Sequence, residues 1–158
     1  MQDALMGAWS ARNKSLPLTE PYEALILASI VEKETGVASE RPEIAGVFAR
    51  RLALGMRLQT DPTVIYGLGA EFDGNVTRRH LRDYNNPFNT YRIAGLPPTP
   101  IALPGKEAIM ASLNPTDGEA LYFVAKGDGS HAFSRTLSEH EENVRRYQLK
   151  RRKDYRSS

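Results

Sequence analysis

The sequence predicts an α+β domain, mainly helical, with one small β-hairpin and one long ordered loop rich in Pro and Asn. Three observations predict it. Residues 22–35 and 39–54 carry apolar side chains at helical spacing between recognisable start and stop signals. Leu121-Tyr122-Phe123-Val124-Ala125 favours a strand; Lys126-Gly127-Asp128-Gly129 then turns the chain, and residues 130–134 can return as the partner. Between 84 and 104, turn formers such as Asn85, Asn86, Pro87, Pro97 and Pro98 alternate with Phe88, Tyr91, Ile93, Leu96 and Ile101, which favours a packed loop over a disordered one.

Each element has its own warrant. Leu5 and Trp9, one turn apart, place a short helix over 4–13, followed by a linker to residue 18. Thr19 is the expected N-cap of the helix over 22–35, with Glu20 and Pro21 suited to a first turn and Gly36 placed to stop it. Ser39 is the expected cap of the next helix, whose stripe is Ile44, Val47, Phe48 and Leu52 and whose end is Gly55. Residues 56–59 are expected as a short strand. Thr60 or Asp61 before Pro62 opens a short helix through Tyr66, closed by Gly67 and Gly69, and another runs from Thr77 to about Asp83. A helix over 105–113 stops at Asn114-Pro115. Ser138 with Glu141 reads as a capping box for the last helix, with Val144 and Tyr147 inward.

Composition narrows the function. At 158 residues the chain is the size of a single domain, 1–158, comprising an N-terminal helix and linker over 1–18 and a basic tail over 150–158 for which disorder is one expectation. Charged residues make up 25% and net charge is +2, which argues against a nucleic-acid binder relying on phosphate neutralisation. The absence of cysteine excludes thiol catalysis, disulfides and Cys-ligated metals. His80, His131 and His140 lack metal-ligand spacing relative to one another and read as surface or packed residues, so neither metal nor cofactor is expected.

The chemistry concentrates in Leu25-Ile-Leu-Ala-Ser-Ile-Val-Glu-Lys-Glu-Thr-Gly36. On a wheel of about 100° per residue, Glu34 falls at roughly 180° from Leu25, between Ile30 and Leu27 and inside a wide apolar arc. Glu32 falls at about 340°, at the edge of that arc. Burial and the negative end of the helix dipole both disfavour ionisation of Glu34, and a general acid working near neutrality needs such a carboxyl. The alternative is a Glu34 that hangs in water or pairs with Arg41 or Arg50. Glu32 and Glu34 point to nearly opposite sides and cannot face one bond. Asp61 is the best-placed second acid, or else a plain N-cap. Around Tyr84–Tyr91, aromatic rings beside amides suit carbohydrate, or else form a rigid loop with satisfied turn amides.

Several blocks resemble one family. They are Ala28-Ser-Ile-Val-Glu-Lys-Glu-Thr-Gly36, Ala38-Ser-Glu-Arg41, Gly55-Met-Arg-Leu-Gln-Thr-Asp-Pro-Thr-Val-Ile-Tyr-Gly67, Phe88-Asn-Thr-Tyr91 and Gly95-Leu-Pro-Pro-Thr-Pro-Ile101. Together they closely resemble the MltG-type (YceG-like) endolytic murein transglycosylases, in order along most of the chain. The resemblance implies a lysozyme-like catalytic domain that cleaves the MurNAc-β-1,4-GlcNAc bond inside peptidoglycan strands and leaves 1,6-anhydroMurNAc ends. One glutamate would serve as acid and then base. Glu34 is the expected residue because Glu34-Thr35-Gly36 resembles the Glu-Ser-Gly end of other transglycosylase helices, with Glu32 second. Gln59, Thr60, Asp61, Tyr66, Asn89 and Tyr91 are carried over as groove residues.

The resemblance further implies a role in limiting nascent strand length, peptidoglycan synthases as partners, and a place on the extracytoplasmic side of a bacterial inner membrane. Membrane contact would come through a single-pass anchor that, with a small membrane-proximal domain, is missing from this chain. A hydrolytic muramidase and a non-catalytic glycan-binding module that recruits synthases are the competing readings.

Overall fold

The computed structural model describes residues 2–154. Its order is α1 (Gln2–Ser10), α2 (Pro21–Glu34), α3 (Arg41–Leu54), α4 (Asp61–Leu68), α5 (Arg78–Arg82), α6 (Lys106–Leu113), β1 (Tyr122–Ala125), β2 (His131–Ser134) and α7 (Leu137–Asp154), with 3-10 turns at Ala38–Glu40 and Gly69–Glu71. The α+β, mainly helical expectation holds. β1 and β2 pair antiparallel with Phe123 opposite Phe133, and among the described residues this two-stranded ribbon is the sheet.

The core lies where α2, α3 and α6 meet. Leu27, Ile30, Ile44, Phe48, Ile109 and Leu113 have essentially no exposed surface. Each such side chain contributes about 1.5–3 kcal/mol relative to an exposed one, so α2 is held rigidly up to its last turn. The loop between α5 and α6 packs on it as expected: Ile101 is buried and its N–H donates to Ser29 Oγ at 3.0 Å. Glu32 Oε1 accepts the N–H of Gly105, which caps α6, at 2.8 Å.

Several boundaries differ from expectation. Glu20 rather than Thr19 caps α2, because Glu23 Oε1 reaches back to the N–H of both residues and to the Thr19 hydroxyl. Gly36 is not the stop: α2 ends when Thr35 turns extended at φ −146°. Ser39 lies inside the 3-10 turn, and Glu40 precedes α3. The capping box of α7 is Thr136 with Glu139, two residues before the expected one; Glu139 Oε1 accepts the Thr136 N–H, and Thr136 Oγ1 accepts the Glu139 N–H.

Residues 56–59 form no strand. Leu58 is drawn into the core, and Gln59 donates its N–H to Thr90 O while adopting φ 51°, which no strand ladder accommodates. The basic tail begins as part of α7, which continues to Asp154; residues 155–158 lie outside the described residues. Among the described residues no helix is long and apolar enough to cross a membrane.

Candidate active site

A cavity of about 500 Å³ opens where the C-terminal end of α2, the start of α4 and the inner face of the hairpin converge. Glu34 is the last residue of α2. Because Thr35 leaves the helix in an extended conformation, the chain departs and the Glu34 side chain remains in the cavity wall. The residue as a whole keeps some solvent contact, but protein atoms crowd its carboxyl on nearly every side, and the carboxyl's own surroundings set its pKa. Burial, then the negative charge of Asp61, push it from 4.5 up to about 7, against a smaller opposing effect of the Thr60 hydroxyl. Among the described residues neither Arg41 nor Arg50 forms an ion pair with it.

The opposite lip is held by threonines. Thr90 Oγ1 accepts the Thr60 N–H at 2.9 Å, donates to Thr60 O at 3.2 Å, and shares a 2.9 Å hydrogen bond with Thr63 Oγ1. All three residues are buried, so this lock fixes the segment that carries Gln59, Thr60 and Asp61 against the one that carries Tyr91. Thr60 Oγ1 is itself buried with no well-aligned partner among the described residues, beside the Glu34 carboxyl.

Asp61 opens α4, where the helix dipole favours a carboxylate, and its Oδ1 accepts the Tyr91 hydroxyl at 2.6 Å. Burial and the adjoining acids hold the Tyr91 phenol above its usual range, so it stays protonated and donating. The arrangement therefore presents one carboxyl that keeps its proton part of the time at neutral pH, beside a second acid whose Oδ1 is committed to a phenol.

The structure brings Glu34, Gln59, Thr60, Asp61 and Tyr91 into one cavity. It does not bring Glu32, Tyr66 or Asn89 there. Glu32 faces away and serves Gly105. Tyr66 is about half exposed and packs on Phe88 at 4.9 Å between ring centroids. Asn89 has no exposed surface; its Nδ2 donates to His80 O, Leu81 O and Asp83 O, closing the end of α5, and its Oδ1 accepts the Tyr91 N–H. Its amide is fully used inside the protein.

Arg51 escaped the sequence reading because nothing local marks it: α3 carries Arg50 and Arg51 side by side, and only Arg51 lines the cavity. His140, on α7, also lines it, with its ring 5.0 Å from that of Tyr122. Among the described residues no three His, Asp or Glu side chains stand close enough to hold a metal ion.

Comparisons with known proteins bear on this geometry. The YceG-like family model matches residues 1–146. The endolytic murein transglycosylase of Bacillus subtilis (strain 168) is 40% identical over 126 residues, which is 80% of this chain and 34% of that protein. Its namesake from Streptococcus pneumoniae serotype 2 (strain D39 / NCTC 7466) is 35% identical over 127 residues, or 77% of this chain and 23% of that one. The 2.6 Å crystal structure of a YceG-like protein from Listeria monocytogenes matches with a TM-score of 0.74 and 39% identity, over 90% of this chain and 43% of that one. The chain spans between about a quarter and a third of the curated relatives' length.

Proposed function

Since the chain belongs to the YceG-like family, we propose that it cleaves murein glycan strands internally, as an endolytic transglycosylase with Glu34 as its acid and then its base. The observation that carries this reading is a single carboxyl, pushed up to about 7, in the wall of an open cavity. Glu34 gives its proton to the glycosidic oxygen as the bond from the muramoyl C1 to that oxygen breaks. The Glu34 carboxylate then takes the proton of the muramoyl C6 hydroxyl as that oxygen bonds to C1. The proton count closes on Glu34, no water is consumed, and one group with a pKa near the working pH serves both halves.

Asp61 faces the same space and would stabilise positive charge developing at C1, while the Thr60 hydroxyl is placed to steady Glu34 once it is ionised. Internal cuts made while strands are being synthesised would limit their length, and the domain would work on the extracytoplasmic side of the membrane, where murein lies.

The proximity of Asp61 favours one competing reading, a muramidase in which Asp61 directs a water. Mass spectrometry of fragments released from purified sacculi decides. Fragments ending in 1,6-anhydro sugar, lighter by one water, are expected from the wild type, with the rate falling on the order of 10³-fold in Glu34→Gln. Reducing ends would establish the muramidase. Strands bound but never cut would leave only a glycan-binding module.

A further inference from the structure

The hairpin, α7 and Arg51 of α3 form a further wall of the cavity, and the reaction above makes no use of it. Arg51 is only 6% exposed. Its Nε donates to Leu121 O at 2.7 Å and its Nη1 to Arg57 O at 2.8 Å, and the guanidinium lies 4.9 Å from the centre of the Tyr122 ring. These contacts fix its plane. Among the described residues Nη2 has no hydrogen-bond partner, and no carboxylate lies within ion-pair distance of the guanidinium.

The neighbouring acids are engaged elsewhere. Asp61 accepts the Tyr91 hydroxyl, and Glu40 is bonded to the backbone N–H and Nδ1 of His131. His140 on the same wall is held below the usual histidine range by burial and by Arg51, so it remains neutral, and its Nδ1 is buried without a partner among the described residues. A guanidinium withdrawn from water without a counter-ion is costly, and carbonyl oxygens offset that cost only in part. Arg51 lines the same cavity as Glu34, and its Nη1 also reaches Gln59 Oε1 at 3.5 Å.

We propose that Arg51 anchors a carboxylate carried by the substrate, so that the domain selects strands whose muramic sugars bear acidic peptides. The inference rests on the murein reading, since the sugar backbone of such strands is uncharged and their anions lie on the side branches. Arg50 provides the control. It braces two backbone carbonyls in the same way, through Nε to Ala120 O and Nη1 to Thr116 O, but does not line the cavity.

The test is calorimetric binding of soluble peptide-bearing strands to Glu34→Gln protein, with the peptide carboxylates either free or converted to amides. Free-acid strands are expected to bind about tenfold tighter, the size of one charge-assisted hydrogen bond. Adding Arg51→Gln should erase the preference, Arg51→Lys should retain part of it, and Arg50→Gln should leave it whole. Equal affinity for the two strands, or a preference that survives Arg51→Gln, overturns the inference while leaving the murein reading in place. If Arg51→Gln does not fold, the strand comparison and Arg51→Lys still decide: a preference weakened in a folded Arg51→Lys supports the inference, and one left whole overturns it. Failure to bind either strand brings down the murein reading and this inference together.

Discussion

Replacing Glu34 by Gln should stabilise the protein at alkaline pH while destroying its activity. Glu34 titrates near 7 in the folded chain against 4.5 for the free side chain. Between those values the folded state holds a proton that the unfolded state has released, so stability falls as pH rises. The contribution is fully present below 4.5 and lost above about 7. A separation of about 2.5 units at 1.36 kcal/mol per unit gives about 3.4 kcal/mol, which the residue's remaining solvent contact reduces to roughly 2–3 kcal/mol. The amide of the Glu34→Gln variant fills the same space without titrating. Urea denaturation of both proteins should therefore give similar stabilities at pH 4.5 and a variant more stable by roughly 2–3 kcal/mol at pH 8, or roughly 5–10 °C in Tm. A difference that does not change with pH would refute the buried-acid reasoning, whatever happened to activity.

Three further substitutions probe the surrounding contacts. Asp61→Asn removes the charge that helps raise Glu34, so the pKa of Glu34 should fall and the loss of activity with rising pH should begin at lower pH, as read from the pH dependence of kcat/KM. Glu32→Gln keeps an oxygen for the Gly105 N–H; strand cleavage should persist, with less than about 1 kcal/mol lost in denaturant titration. Asn89→Ala deletes the amide that closes the end of α5 and should cost roughly 2–4 kcal/mol, visible in calorimetry as a lower Tm.

Legibility in the sequence followed the range of the forces involved. Glu34 could be singled out because its position depends only on helical periodicity within α2, and the apolar arc around it faces the core in the structure. The hairpin was legible from a strand run and a glycine turn a few residues apart. Residues 56–59 misled because a β-favouring run without a neighbouring strand yields to the burial of Leu58 and the left-handed turn at Gln59. Asn89 misled for the converse reason. Its amide satisfies carbonyls at the end of a short helix, and composition cannot distinguish an amide spent inside from one offered to a ligand. Arg51 was invisible because its main partner, Leu121, lies 70 residues away along the chain.

Among the described residues the hairpin shares no ladder with another strand. It is fastened to the helical body by side chains: Arg50 and Arg51 on the carbonyls of Ala120 and Leu121, Glu40 on His131, and Phe48 edge-on to Phe123. A panel attached by rivets rather than welded in can be exchanged without disturbing the frame. Descendants of this chain are thus free to remodel what the site admits by rewriting a few residues of one late segment, while the strength and aim of the acid stay under the control of an early one.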